Sequence, residues 1–215
     1  MECAYRQLDT LITIITDKPP KGTIRCYESA IQEGITSSCL SRVNDNYYNS
    51  PFEERIRQLN TPCTSQLCKS LILENTAFPP GATETPTFAR FYLLIVQYVA
   101  QMQSHKLFKY LRAVNPEVKK KCFHFRVADE SEAITLSGFE HNAITPFGMN
   151  KKIPVVLADD ITRLPQDYCW IGGGEIDVKL GFNVKEFVEK MKPMVTDIYK
   201  REGEKDEKDE KEDQN

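Results

Sequence analysis

Several large functional classes are excluded by what this sequence has little of. Only three histidines accompany seven cysteines (Cys3, Cys26, Cys39, Cys63, Cys68, Cys122 and Cys169), and no two cysteines form a CxxC pair. That spacing supplies no zinc framework, and an odd, irregular set supplies no closed disulfide framework. Reduced thiols in or near the core of a cytoplasmic protein are expected. No apolar run reaches the roughly 20 residues a membrane span needs, and the first residues do not have the pattern of a signal peptide. A soluble intracellular protein with no membrane partner is therefore expected. A formal charge of −3 and a pI near 5.7 provide no global basic field. DNA is not an expected partner, and any nucleic acid must be met by a local patch. There is no phosphate-binding Gly-Lys-Ser/Thr loop, no serine in a nucleophile elbow, and no internal repeat.

What is present suits one substantial core: 40% hydrophobic and 10% aromatic residues in 215. Residues 1–60 are mixed and are expected to form a partly helical N-terminal extension. In them, Leu8 to Ile15 fits a helix or a short strand, Lys18 to Gly22 is a break, and Ser37 to Asn49 is loop-like. Ser50, Pro51 and Glu53 then have the pattern of a capping box with proline at the first helical position. Phe52, Ile56 and Leu59 share a face of that helix, so it docks on something. Residues 61–200 alternate between strand and helix patterns and are expected to form the main domain. Strands are expected at Leu67–Leu73, Phe88–Val99, Cys122–Val127, Ile153–Leu157, Tyr168–Ile171 and Glu175–Leu180. Helices are expected after Ser104, after Asp129 with Gly138 past its end, and over Asn183–Met191 with Asn183 and Glu186 as a capping pair. Residues 201–215 alternate acids with bases and contain no apolar residue, the composition of a disordered tail.

Four features could carry chemistry. The stretch Leu136–Met149 hems a polar, turn-forming centre between large apolar residues and glycines, as a rigid loop packed beside a pocket would. Lys69 shares a strand face with Leu67, Leu71 and Leu73. It is either an edge lysine that snorkels to water or a cation aimed into a pocket to meet an anion or carbonyl. Gly172, Gly173 and Gly174 are either a turn needing positive φ or backbone left bare for a ligand. His141 has no carboxylate at a telling spacing and is expected to be a hydrogen-bonded structural residue. Cys68 points away from Lys69 and is expected to pack in the core. Lys119–Lys121, Lys151 and Lys152 are a solvated basic face or phosphate contacts.

Three segments, Leu67-Cys-Lys-Ser-Leu-Ile, Leu136-Ser-Gly-Phe-Glu-His-Asn-Ala-Ile-Thr-Pro-Phe-Gly and Ile171-Gly-Gly-Gly-Glu-Ile-Asp-Val-Lys-Leu, resemble the YbaK/ProX family of editing domains associated with aminoacyl-tRNA synthetases. They occur in the family's order over about residues 60–192, and the version present is most similar to the stand-alone eukaryotic branch. The resemblance implies an α/β fold around a mixed, partly closed sheet. It also implies a metal-independent activity without cofactors, acting in trans: hydrolysis of the ester joining a wrong, small amino acid to tRNA, with tRNA for proline one acceptor. Aminoacyl-tRNA is the implied partner, and an aminoacyl-tRNA synthetase a second one. The family's signature lysine falls on Lys69, with Ser70 beside it. The family's Gly-x-x-x-Pro loop falls on Asn142, Ala143, Ile144, Thr145 and Pro146, with asparagine in place of glycine. Its glycine turn falls on Gly172, Gly173 and Gly174, and an acidic position on Asp177. The alternative expectation is a non-catalytic module that binds tRNA or a synthetase.

Overall fold

A computed structural model describes residues 20–200. The Leu8–Ile15 segment and the charged tail lie outside the described residues. Eight strands form two sheets. The larger contains β2 (Cys68–Asn75), β3 (Phe91–Gln97), β4 (Phe125–Val127), β5 (Val155–Ala158) and β8 (Met194–Thr196), in the order β4-β2-β3-β5-β8. Pairing is antiparallel across β4, β2 and β3 and parallel across β3, β5 and β8. The smaller sheet contains β1 (Cys39–Arg42), β6 (Tyr168–Gly172) and β7 (Val178–Asn183), antiparallel in the order β1-β7-β6. A parallel bridge, Leu67 with Trp170, joins the sheets. Among the described residues they close no barrel.

The hydrophobic pattern accounts for the centre of this arrangement. Every residue of β3 is buried, as a continuous apolar run flanked on both sides requires. The helices α1 (Lys21–Gln32), α3 (Ser104–Val114) and α5 (Val184–Met191) each turn one stripe inward, and α4 (Glu130–Ser137) ends at Gly138 with φ +71°. The expected Asn183 cap on α5 is present, its Oδ1 accepting from Glu186 N at 3.0 Å.

Three expectations need correction. The break at Lys18–Gly22 is shorter than expected, because α1 starts at Lys21. Residues 37–49 are not all loop, since β1 adds to the edge of β7 there, pairing Cys39 with Gly181 through Arg42 with Val178. The helix α2 (Phe52–Gln58) forms, but Ser50 Oγ donates to Asn46 O at 2.9 Å and makes no capping bond. The helix docks as its apolar face demands. Leu59 is buried with Val43, Tyr47, Leu67 and Trp170, and Phe52 and Ile56 pack against them. Residues 20–59 are therefore built into the molecule: Cys26, Ala30, Ile35 and Leu40 belong to the main core.

The Glu186 carboxylate, free of any capping-box role, ties α5 to the start of β1. It accepts from Thr36 N at 3.0 Å and Ser37 N at 2.9 Å, and from both of their hydroxyls. Burial pushes its pKa upward, but these bonds outweigh it and hold the carboxyl down at about 2. A carboxyl titrating lower in the folded chain than its ordinary 4.5 contributes stability above pH 4.5 that is lost as pH falls towards 2. Thermal unfolding of Glu186→Gln should therefore fall below wild type at pH 7. The gap should close as both are taken towards pH 2; a gap independent of pH would contradict this role.

Candidate functional site: a cleft at an open strand edge

The site begins with a strand that lacks a neighbour. In β2 the odd-numbered residues turn their main-chain groups to β3, as Tyr98 N to Leu67 O (3.0 Å) and Asn75 N to Arg90 O (2.6 Å) require. Even-numbered residues face the other edge, where β4 pairs only as far as Leu73 and Ala128 N closes the contact on Ile72 O at 2.9 Å. Beyond that point Asp129 begins α4. At the far end β6 bridges the chain at Leu67, just before β2, and the Cys169 side chain bonds Cys68. The main-chain N–H and C=O of Ser70 therefore point into an edge that no strand covers. A cleft of about 490 Å³ opens along it, lined by residues 68–72, Tyr98, Val127, Ala128, Glu130, Ala133, Ile134, His141, Asn142, Ile144 and Gly172.

Lys69 is half-buried in this wall, its ammonium 5.5 Å from the Tyr98 ring centre and without a carboxylate partner among the described residues. Lys69 lines the cleft. Ser70 Oγ is buried with no hydrogen-bond partner. Opposite stands the loop after α4. Asn142 has φ +68°, a left-handed conformation that asparagine tolerates better than other non-glycine residues. His141 is exposed on the rim of the cleft, which corrects the expectation of a structural histidine. Val127 and Ile134 are large apolar residues left exposed beside it.

The remaining predicted positions separate from these. Ala143 is buried, and its carbonyl accepts from Gly174 N at 3.2 Å. Thr145 is fully buried, its hydroxyl accepting from Cys26 Sγ at 3.7 Å. Pro146 faces a second hollow, of about 340 Å³, together with Met149, Lys152 and Met191. The three glycines have different tasks. A Cβ on Gly172 would stand 2.5 Å from Ile144 O, so glycine there admits the loop against β6. Gly173 N donates to Val178 O at 3.0 Å. Gly174 sits at φ +91°, with Gly22 O 2.3 Å from where its Cβ would be. Only Gly172 reaches the cleft, and the N–H groups of Gly173 and Gly174 are already engaged. Asp177 pairs with Arg42 at 3.2 Å, away from the cleft lining. Lys119–Lys121 are exposed, while Lys151 and Lys152 pair with Glu84 and Glu33 at 3.1 and 2.7 Å.

Two residues behind the cleft had no signal in the sequence. Lys179 on β7 is 4% exposed. Its ammonium lies 4.3 Å from the Tyr48 ring centre and 5.0 Å from that of Tyr47, and it donates to Tyr48 Oη. Tyr48 Oη in turn donates to Asn142 O at 2.7 Å. Sequence separations of 131 and 94 residues hid both contacts. The lysine's only anomaly in the sequence is its place among apolar β7 residues. Among the described residues no group of three or more His, Cys, Asp or Glu side chains is placed to hold a metal, and no described helix is long and apolar enough to cross a membrane.

The model of the aminoacyl-tRNA editing domain matches residues 57–189, well over half of the chain. The chain belongs to this family. Solved structures agree on the fold of the editing domain. A proposed trans-editing enzyme for prolyl tRNA synthetase is 18% identical, with a TM-score of 0.65 over 85% of this chain and 99% of that one. A scaffold from computational grafting of epitope backbones gives 16%, 0.64, 85% and 99%. A hypothetical protein gives 17%, 0.60, 82% and 99%. No curated protein sequence matches the chain. The family match begins at residue 57, so Tyr48 lies before the matched segment.

Burial pushes the Lys179 amine down to about 7; the nearby Arg55 charge adds to this and Asp177 opposes it. A base titrating lower when folded binds fewer protons than the unfolded chain between pH 7 and its ordinary 10.5. Stability therefore rises with pH across that window, and the cost of burying the ammonium is greatest below it. The unfolding free energy of wild type relative to Lys179→Met should improve steadily from pH 7 to pH 10. A difference that stays flat, measured by denaturant titration, would contradict the buried amine.

Proposed function

We propose that this editing domain acts in trans as an aminoacyl-tRNA deacylase, hydrolysing the ester between a small, wrongly attached amino acid and tRNA. The observation that carries the proposal is the convergence of an uncompensated cation, Lys69, and an open strand edge on one cleft beside Asn142 and Gly172. The family assignment supplies the class of substrate. The named activity of a neighbouring fold, trans-editing for prolyl tRNA synthetase, makes tRNA for proline the first acceptor to try, and a synthetase the first protein partner to try.

An ester is already activated, so hydrolysis needs a placed water and polarisation of the carbonyl rather than a side-chain nucleophile. Lys69 anchors the terminal nucleotide through its phosphate or the ester carbonyl. Tyr98, Val127 and Ile134 offer apolar surface for a base. The Ser70 N–H at the strand edge is the main-chain donor for developing negative charge, since the Gly173 and Gly174 N–H groups are occupied. The aminoacyl side chain sits between Ala133, Ile144 and Gly172, where larger groups are excluded more readily than smaller ones. Water attacks the carbonyl carbon, the bond to the ribose oxygen breaks, and that oxygen takes a proton. The products are the free amino acid and uncharged tRNA.

A panel of tRNAs mischarged with alanine, serine, threonine or cysteine tests this. Wild type should release at least one of these amino acids, and Lys69→Ala should lower kcat/KM by about 100-fold, the scale seen when a positioning charge is removed. Undiminished hydrolysis by Lys69→Ala would remove that lysine from the mechanism. Binding of every tRNA with hydrolysis of none would replace the enzyme by a binding module.

A further inference from the structure

The cleft's loop wall is fixed from behind by residues outside it. Asn142 holds a left-handed backbone, a conformation that costs an L-residue more than it costs glycine. Its carbonyl is held by one bond from a distant element, Tyr48 Oη at 2.7 Å. Tyr48 is itself fixed at both ends. Its own carbonyl accepts from the Arg55 guanidinium at 2.6 Å, and its hydroxyl oxygen accepts from Lys179. Arg55 also donates to Ser50 O at 2.9 Å and lies 5.6 Å from the centre of the Tyr98 ring that lines the cleft. The amine, the phenol and the carbonyl thus form one directional relay from β7 to the cleft wall.

From this geometry we infer that Tyr48 and Lys179 are positioning residues for the editing cleft, setting through the Asn142 carbonyl where the His141–Ile144 wall stands relative to Lys69 and Ser70. The inference rests on the deacylase assignment for its kinetic consequence, but not for its structural one. The Tyr48 hydroxyl also bonds the Tyr98 side chain, and its bonds to Lys179 and Asn142 give the relay its direction. The amine donates to the phenol oxygen, which leaves the phenol proton for the carbonyl, and Asn142 O can only accept. An apolar side chain at 179 would leave the phenol oxygen without its amine donor. Phenylalanine at 48 would leave Asn142 O without its bond while retaining the ring that packs beneath Lys179. A buried amine is an expensive way to fill space. A strut whose far end must meet a fixed hydrogen-bonding atom is a use for which an apolar residue cannot substitute. Because Tyr48 and Arg55 precede the segment matched by the family model, residues before the editing domain proper complete its wall.

The test uses the full chain and three variants, Tyr48→Phe, Lys179→Met and the double substitution. Each is measured for kcat and KM on the mischarged tRNA that wild type hydrolyses best, for thermal unfolding, and for amide hydrogen exchange at residues 142–144. Tyr48→Phe should lower kcat about 10- to 100-fold, the scale of an ångström-sized misplacement, with KM changed less than about 3-fold. Exchange at 142–144 should accelerate about 10-fold or more, the scale of a lost hydrogen bond to a constrained loop. The double variant should be no worse than Tyr48→Phe alone, because both substitutions break one relay. Unchanged loop exchange and kcat in a folded Tyr48→Phe would overturn the inference, as would single effects that simply add. If wild type hydrolyses no ester, the deacylase assignment fails on that result alone, and the loop exchange still decides the strut.

Discussion

An unpaired stretch of strand edge around Ser70 of β2 is the constraint on which the rest of the molecule depends. Exposed main-chain donors and acceptors are normally paired or covered, since a bare edge invites other chains. Here β4 stops after three residues because Asp129 turns the chain into α4. On the other side β6 pairs with the chain through the Leu67–Trp170 bridge, just before β2. The gap between the sheets is roofed by a loop rather than filled by a strand. That loop can lie close because Gly172 has no side chain where Ile144 O passes. The cleft is thus a consequence of sheet topology, and Lys69, Ser70 and Asn142 are the groups that topology leaves facing one another.

Aromatic rings make this crowded, positively charged neighbourhood tolerable. Arg55 lies over Tyr47, Tyr48, Phe52 and Tyr98, Lys69 approaches Tyr98, and Lys179 approaches Tyr47 and Tyr48. Ring faces attract cations, so three basic side chains share one aromatic cluster with little carboxylate nearby. The outcome differs by burial. Half-exposed Lys69 remains available to an anion, whereas buried Lys179 has its amine pushed towards neutrality and serves as a hydrogen-bond donor. One lysine faces the cleft, the other the scaffold behind it.

Local patterns were sufficient for the central strands and the cleft's main residues. The apolar run of β3, the Lys69 anomaly and the breaker-rich loop around Asn142 are each visible within a few residues. Where the sequence misled, the cause was physical. The buried face of α1 is made of the small residues Thr23, Cys26 and Ala30, while Ile24 and Ile31 are exposed, so its inward stripe carries little hydrophobic signal. The capping box at Ser50 lost to a competing bond to Asn46. β1 forms because β7 offers it an edge, which no window around Cys39 contains. Tyr48 and Lys179 are joined only by the completed fold. Thr145 and Pro146 share the cleft loop's sequence but alternate away from it, into the core and towards the second hollow.

The most direct single measurement is a crystal structure of the full chain with a non-hydrolysable aminoacyl-adenosine amide, such as 3′-alanylamino-3′-deoxyadenosine. The expected result is the compound in the cleft along β2. Its amide carbonyl should lie within hydrogen-bond reach of Ser70 N, its adenosine beside Lys69 and Tyr98, and its alanyl group between Ile144 and Gly172. Density in the hollow beside Pro146, or a cleft that stays empty at saturating concentration, would contradict the placement of the substrate at the open strand edge.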